Sequence, residues 1–533
     1  MVTDCLPFRE IPGTTRLFLD FLQRKSEIQP FYPASPTSVD ELANHAQSTV
    51  TSGTIPQVAE VLKLQNQNWN CTDEIGRNIE RLGRGACAIV TGQQVGLFLG
   101  PAYTLYKALT AIRLARDLCS RGVDAVPIFW MASEDHDLAE VNHLMLPDKD
   151  GGLQRLQTKS SSAGQSPVGE IHLSADVTQL LDQLAAQVDD SEIIRILRSA
   201  YVPGASFSMA FAQTMSRLFG KHGLILLDPS DPALHRIAQP IYESAALRTE
   251  ALTSALLARN KELDAAGYHV QVKVTNSSTQ LFFRNGNARQ AVQRKNVHFA
   301  ANGKQWTPEQ LRQQITDTPE LFSPNALLRP VVQDFLLPTA AYVAGPSEIA
   351  YFAQSEVLYK NLLGRSTPIW PRFSATLLEA RLDHWMRKYG LGLRDVLLPK
   401  EEFTTALAQR TIPSALKEDF DRSREQLERL LRPLQRSLGQ LDPTIAAAAE
   451  IAARKMRYQL ERLESRAARA HLRREDALEH QTRLISSSLF PDRELQERQI
   501  AGVYFLAKHG TELVDRMIAE MRPECSDHQI LHL

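Results

Sequence analysis

The chain has 533 residues, and its 60 Lys and Arg against 61 Asp and Glu leave a formal charge of −1. Hydrophobic residues make up 43% and charged residues 23%, the balance of a water-soluble globular chain. Neutrality gives no basic excess to draw the chain to nucleic acid or to an anionic membrane. No apolar run approaches the ~18 residues of a membrane-spanning helix, and the N-terminus, with Asp4 early in it, does not read as a secretory signal. Cys5, Cys71, Cys87, Cys119 and Cys525 are scattered and form no CxxC pair. That usage fits a reducing cytoplasm and gives no support to a structural zinc site.

Residues 1–80 read as mostly helical, with Val58, Val61 and Leu62 at helical spacing. Cys87-Ala-Ile-Val90 then opens a strand, and Gly92-Gln-Gln-Val-Gly96-Leu-Phe-Leu-Gly100 is the turn after it. Pro101 starts a helix that stops near Gly122, the usual Pro-first, Gly-last asymmetry. Ala125–Met131 is a second buried strand, so a parallel sheet with a right-handed crossover is expected. Further strand–turn–helix units are expected at Gly223–Asp228, Ala340–Ala344 and Pro368–Trp370, with Ser374 capping a helix over ATLLEARLDHWMRKYG. Residues 145–200 and 265–330 are Gly-, Ser- and Gln-rich and hairpin-like, and read as insertions that cap the crevice at the strand ends.

The texture changes again at 401–487, where Arg, Glu, Leu and Ala dominate. Leu427, Leu430, Leu434, Leu438 and Leu441 form one apolar seam, and Leu460, Leu463, Ala467, Ala470 and Ala477 form another. Asp442-Pro443 marks the start of the second run. An antiparallel helical hairpin is expected, with arms of ~25 and ~45 residues, roughly 40 and 65 Å at the helical rise. Its seam suits pairing with another chain, or packing on its own core. Residues 488–533 read as C-terminal helices docking back on residues 1–400.

The common nucleotide signatures GxxxxGK[ST], GxGxxG and HxGH are absent. The first turn offers instead Gly92 and Gly96, the amides of Gln93 and Gln94, and Lys107 two turns into the next helix. This set suits an anion or nucleotide, or glycines kept only for packing. The second strand ends in Ala132-Ser-Glu-Asp135-His136-Asp137, with Glu140, Asn142 and His143 downstream. Such polar density serves a general base, a substrate amine, a divalent metal, or helix caps and surface charge. Arg329 lies between apolar runs and wants a carboxylate or phosphate, or a structural partner in Asp334 or Glu348. Ser347 and Glu348 stand at a further strand end, as does Arg372.

The segments TGQQVGLFLGPAYTLYKA, VPIFWMASEDHDLAEVNH, SPNALLRPVVQDFLLPTAAYVAGPSEIAYFAQ, PRFSATLLE and LQERQIAGVYFLAKHG together resemble the BshC family, from about residue 6 to the C-terminus. Val95, Leu99 and Ser347 depart from its usual Pro, Gly and Gly. The resemblance implies a Rossmann-like parallel-sheet core with connecting-peptide insertions, a coiled-coil arm used for homodimerisation, and addition of L-cysteine to glucosaminyl-malate in the last step of bacillithiol synthesis. Activating a carboxylate for amide formation points to ATP or ADP, with Mg²⁺ arriving on the nucleotide and no protein-held metal. Under this reading Gly92, Gln93, Gln94, Gly96 and Lys107 hold the phosphates. Asp135, His136 or Asp137 takes a proton from the sugar ammonium or holds the nucleotide's Mg²⁺. His143, Asn142, Arg329, Asp334, Ser347, Glu348 and Arg372 bind substrate, the arginines clamping the malate carboxylates. The alternatives are another ATP-dependent carboxylate–amine ligase or nucleotidyl transferase, and a nucleotide-binding coiled-coil scaffold without activity.

Overall fold

Continuous apolar runs build the centre of the molecule. A computed structural model describes residues 4–47, 53–148, 150–161, 165–188 and 191–533. Five parallel strands lie in the order Ile369–Pro371, Thr339–Ala344, Cys87–Gln93, Ala125–Met131, Ile225–Leu227. Every residue of Ala125–Met131 is buried, as a strand covered on both faces requires. Its side chains alternate between layers. Val126, Ile128 and Trp130 join the core that holds helix Pro232–Leu247, whereas Phe129 and Met131 pack with Leu105, Leu109 and Ile112 of helix Tyr103–Cys119. That helix ends at a turn with Gly122 at φ +80°, where the Val123 N–H donates to Leu118 O, a closure that needs no side chain at Gly122.

Segment 145–200 begins as the expected hairpin, His143–Pro147 paired with Leu153–Gln157. It continues as helices Asp176–Val188 and Glu192–Ala200, whose buried Val177, Leu181, Leu184, Ile193 and Leu197 escape notice among Gln, Ser and Asp. Between 278 and 324 lies an antiparallel sheet in the order Lys304–Trp306, His298–Ala301, Ala288–Lys295, Ser278–Asn285, Phe322–Pro324.

Two expectations are corrected. Ser374 caps no helix: Ala375–Leu378 is a strand, parallel to His528–His532, and the helix begins at Ala380. Asp4–Leu6 pairs with the other edge of His528–His532, so both ends of the described chain share one small sheet. The hairpin is present, but its seam is drawn differently. Ser414–Leu441 is followed by Pro443–Arg474, and the helix breaks at Glu475 before Asp476–Leu489. Leu431 is buried and Leu427 and Leu438 are half-buried, while Leu430, Leu434 and Leu441 stay exposed. Across from them Ala453, Ala468 and Leu472 are buried, and Leu463, Ala470 and Ala477 are exposed. A spacing of three or four fixes a stripe, but the neighbouring helix Lys400–Thr411 also packs on the second arm and selects the buried face.

Candidate active site

In an open parallel sheet, ligands bind beyond the C-terminal strand ends where the strand order reverses. The reversal falls between Cys87–Gln93 and Thr339–Ala344, since the chain builds outward on one side to Ile225–Leu227 and then returns to the other. A cavity of about 800 Å³ opens there. Gly92, Gln93, Trp130, Ala132, Gly345 and Ser347 reach it from the strand ends, Gln280 and Arg289 from the antiparallel sheet, and Arg329 from helix Arg329–Leu336. Gly92 is obligatory: a Cβ would lie 2.8 Å from the Trp130 carbonyl oxygen of the paired strand.

The first turn divides in two. Gly92, Gln93 and Gln94 line the cavity, but Gly96 does not. Val95 and Leu97–Leu99 are buried, and Tyr201 donates its hydroxyl to Gly96 O at 3.1 Å. The start of the following helix is covered by the C-terminal segment, where Ala102 N–H donates to Ile500 O and Gly502 N–H to Gly100 O. The helix N-terminus expected to cradle phosphate therefore meets protein. Lys107 is buried, and its ammonium donates to Gly92 O (2.7 Å), Gln93 Oε1 (2.9 Å) and Glu348 Oε2 (2.6 Å), which uses all three donors. Burial lowers its pKa, and Glu348 opposes that shift. Gln94 Nε2 donates to Asp135 Oδ2 (2.6 Å) and Glu140 Oε2 (2.9 Å), so this amide orients carboxylates.

In the second strand-end turn, Glu134, Asp135, His136 and Glu140 line the cavity. Arg289 Nη1 lies 3.2 Å from His136 Nδ1. A guanidinium can only donate, so Nδ1 accepts and the ring proton sits on Nε2. Asp137, Asn142 and His143 are not in the lining. Asp137 is exposed and caps Leu138–Val141 by accepting from Glu140 N. Asn142 is buried, its carbonyl taken by Thr158 N–H, and His143 opens the hairpin, its pKa lowered by burial and then by Arg155.

In the third cluster, Arg329, Ser347, Glu348 and Arg372 line the cavity and Asp334 does not. Asp334 is a buried residue of helix Arg329–Leu336, bound to Gln333, Tyr359 and Thr367, and burial raises its pKa. Arg372 is neutralised by buried Glu497 at 2.5 Å. Among the described residues Arg329 has no carboxylate in ion-pair contact. It donates to Gln333 Oε1 (3.0 Å), Tyr351 OH (2.9 Å) and Tyr342 OH (3.3 Å). Arg289, which the sequence did not single out, is likewise held by neutral acceptors, Ser323 Oγ (2.8 Å) and Pro324 O (3.0 Å), over the Phe282 ring. Gln280 is buried, and its Nε2 has no acceptor within reach among the described residues. Buried cations and donors left in this state await an acidic, oxygen-rich partner. The strand pattern around Arg289 gives no sign of this environment, which depends on His136, 153 residues away, and on Phe282 of the paired strand.

The N-terminal Rossmann-like domain model of bacillithiol biosynthesis BshC matches residues 1–373, and the C-terminal coiled-coil domain model of the same family matches residues 375–533. Relatives named “Putative cysteine ligase BshC” include those of Koribacter versatilis, 44% identical over the whole of both chains, and Solibacter usitatus, 36% identical over 99% of each. That of Geobacillus kaustophilus is 31% identical over 89% of this chain and 90% of its own. The parallel-sheet core, the helical hairpin and these matches over the full length agree: the chain belongs to the BshC family of bacillithiol biosynthesis.

Proposed function

We propose that this chain is a ligase that joins the carboxylate of L-cysteine to the amine of glucosaminyl-malate, driven by ATP. Such a substrate carries two carboxylates and one ammonium group. The observation that carries the reading is the division of charge in the cavity. Among the described residues Arg329, Arg289 and the Gln280 amide line it without carboxylate contacts, while Glu134, Asp135 and Glu140 supply negative charge near one strand end. The malate carboxylates fit the first group and the sugar ammonium the second.

A nucleoside triphosphate, when bound, turns a carboxylate oxygen into a phosphate leaving group. In this reading its phosphates sit at a different strand end than the first turn. Helix Pro346–Leu362 begins at the cavity, and Gly345, Pro346 and Ser347 line it. Pro346 has no N–H, but the amides of Ser347 and Glu348 have no acceptors inside the helix and suit an anion. Mg²⁺ would enter with the nucleotide. Lys107 holds Glu348 and the Gln93 side chain in place beside that site. The exposed Leu430, Leu434, Leu441 and Ile445 on the hairpin suit association with a second copy of the chain.

Low-molecular-weight thiol profiling by mass spectrometry, in source cells with and without the gene, tests the reading. Loss of bacillithiol with accumulation of glucosaminyl-malate supports it. Persistence of bacillithiol in the deletion strain refutes it.

A further inference from the structure

Amide formation needs a neutral amine, and an amino sugar arrives as an ammonium ion. A group in the cavity must take that proton. His136 is badly placed, because Nδ1 already accepts from Arg289. Both oxygens of Asp135 are engaged, Oδ2 by Gln94 and Oδ1 by the His136 amide at 2.7 Å. Asp137 is not in the lining and caps a helix.

Glu134 differs from these. Glu134 lines the cavity, and its Oε1 is 3.3 Å from Nε2 of His235. His235 is only 3% exposed and sits one turn into helix Pro232–Leu247, which Asp231 caps. On the far side of the ring, Nδ1 is 3.3 Å from the hydroxyl of buried Tyr242. His235 and Tyr242 are seven residues apart, two turns along one face of the helix. The phenol donates to Nδ1, which leaves the proton on Nε2 to face Glu134. The ring is thus fixed in one tautomer and one orientation by its second partner, as a histidine behind a functional ligand usually is. A histidine and a tyrosine buried in series behind one cavity carboxylate are otherwise costly polar groups in a core.

We propose that Glu134 is the general base of the ligation and that His235 and Tyr242 are positioning residues that hold its carboxylate toward the substrate amine. This rests on the amide-forming reading above. In the step assigned here, one proton passes from the sugar –NH3⁺ to the Glu134 carboxylate, giving –NH2 and –COOH. The freed lone pair then forms the C–N bond as the activated acyl carbon loses its phosphate-linked oxygen, and the second proton, shed as the nitrogen becomes an amide, leaves on the departing phosphate.

The test is complementation in a bacillithiol-making bacterium whose own copy of the gene is deleted, reading the initial rate of bacillithiol accumulation after induction. Immunoblots and thermal melts of the purified chains confirm equal abundance and folding. Glu134→Gln, which keeps shape and removes basicity, should lower the rate about 100-fold, the usual share of a general base. His235→Leu should lower it at least about 10-fold, and His235→Gln, which can still donate to Glu134, should recover most of that loss. Tyr242→Phe should fall between wild type and His235→Leu. If wild type itself restores no bacillithiol, the ligase reading fails and this inference with it. If wild type restores bacillithiol and Glu134→Gln does so at an equal rate, this inference alone is overturned. Equal rates for His235→Leu and His235→Gln remove the positioning role. Should His235→Leu not fold, the isosteric Glu134→Gln decides.

Discussion

Glu497→Gln is the sharpest test of how the C-terminal segment supports the site. Glu497 is fully buried, and its carboxylate meets Arg372 Nη2 at 2.5 Å, Ser374 Oγ at 2.9 Å and the Ala375 amide at 2.9 Å. Burial opposes its ionisation, but Arg372 and these donors outweigh burial and hold its pKa below the usual carboxylate range. Glutamine keeps the volume and an acceptor oxygen, so little packing is lost. What remains is a guanidinium, 5% exposed, with no anion beside it. Breaking a buried pair from one side costs about 3–5 kcal/mol, and the retained hydrogen bonds favour the lower end. About 3 kcal/mol is roughly a 150-fold change in the folding equilibrium. Urea unfolding of the purified chain, followed by far-ultraviolet circular dichroism, reads it as a lower midpoint. Arg372→Met with Glu497→Leu removes both charges and should be less damaging than Glu497→Gln alone. A Glu497→Gln midpoint within about 1 kcal/mol of wild type, or a double variant that is worse, refutes the argument that the pair is a closed electrostatic unit.

Gly92→Ala places a methyl group 2.8 Å from the Trp130 carbonyl oxygen, so it should destabilise by about 1–3 kcal/mol in the same unfolding assay; an unchanged midpoint contradicts the close approach. Arg329→Met should weaken L-malate or glucosaminyl-malate binding, measured by calorimetry, by about 10- to 100-fold, the worth of one charge-assisted contact. Retained affinity would remove Arg329 from the anion site. Stability should also fall with acid. Burial lowers the pKa of His222 and of His528 to about 4 in the folded chain, so between about 6.5 and 4 the unfolded chain binds protons that the folded chain refuses. Stability is therefore full above about pH 6.5 and is lost as the pH drops toward 4. His528→Asn should flatten part of that slope, and a wild-type midpoint equal at pH 7.5 and pH 5 would refute it. Leu430→Glu with Leu434→Glu should leave a monomer by sedimentation velocity if the hairpin joins two copies, and an unchanged dimer moves the interface elsewhere.

How much of this was legible in the sequence depends on the range of the interaction. Ala125–Met131 is a strand in the sequence and in the structure because seven apolar residues in a row can only be buried on both faces. The Pro-to-Gly span 101–122 holds its helix for equally local reasons. His528–His532 is different: its residues are ordinary, and only the far-off Asp4–Leu6 and Ala375–Leu378 on its two edges make it a strand. The same distinction divides the site. The turns after Cys87–Gln93, Ala125–Met131 and Thr339–Ala344 were marked by Gly, Gln, Asp, His and Glu at strand ends, and all three reach one cavity.

Residue type alone could not say which polar group meets which. Gln94 carries donors that would suit a phosphate, yet the fold brings two carboxylates to them. Lys107 carries the charge an anion needs, yet Glu348 from another helix consumes it. Arg372 is paired across 125 residues by Glu497, while among the described residues Arg329 and Arg289 receive no such partner. A cation is available to a ligand only where the rest of the fold has failed to neutralise it, and that is a property of distant contacts. The family resemblance locates the crevice, whereas the list of unsatisfied donors in it decides where an acidic substrate can be held. On that ground Arg289, Arg329 and Gln280 are the donors in the crevice left for an acidic group under the proposed function, and the same reasoning points to Glu134, a cavity-lining residue held by a buried histidine.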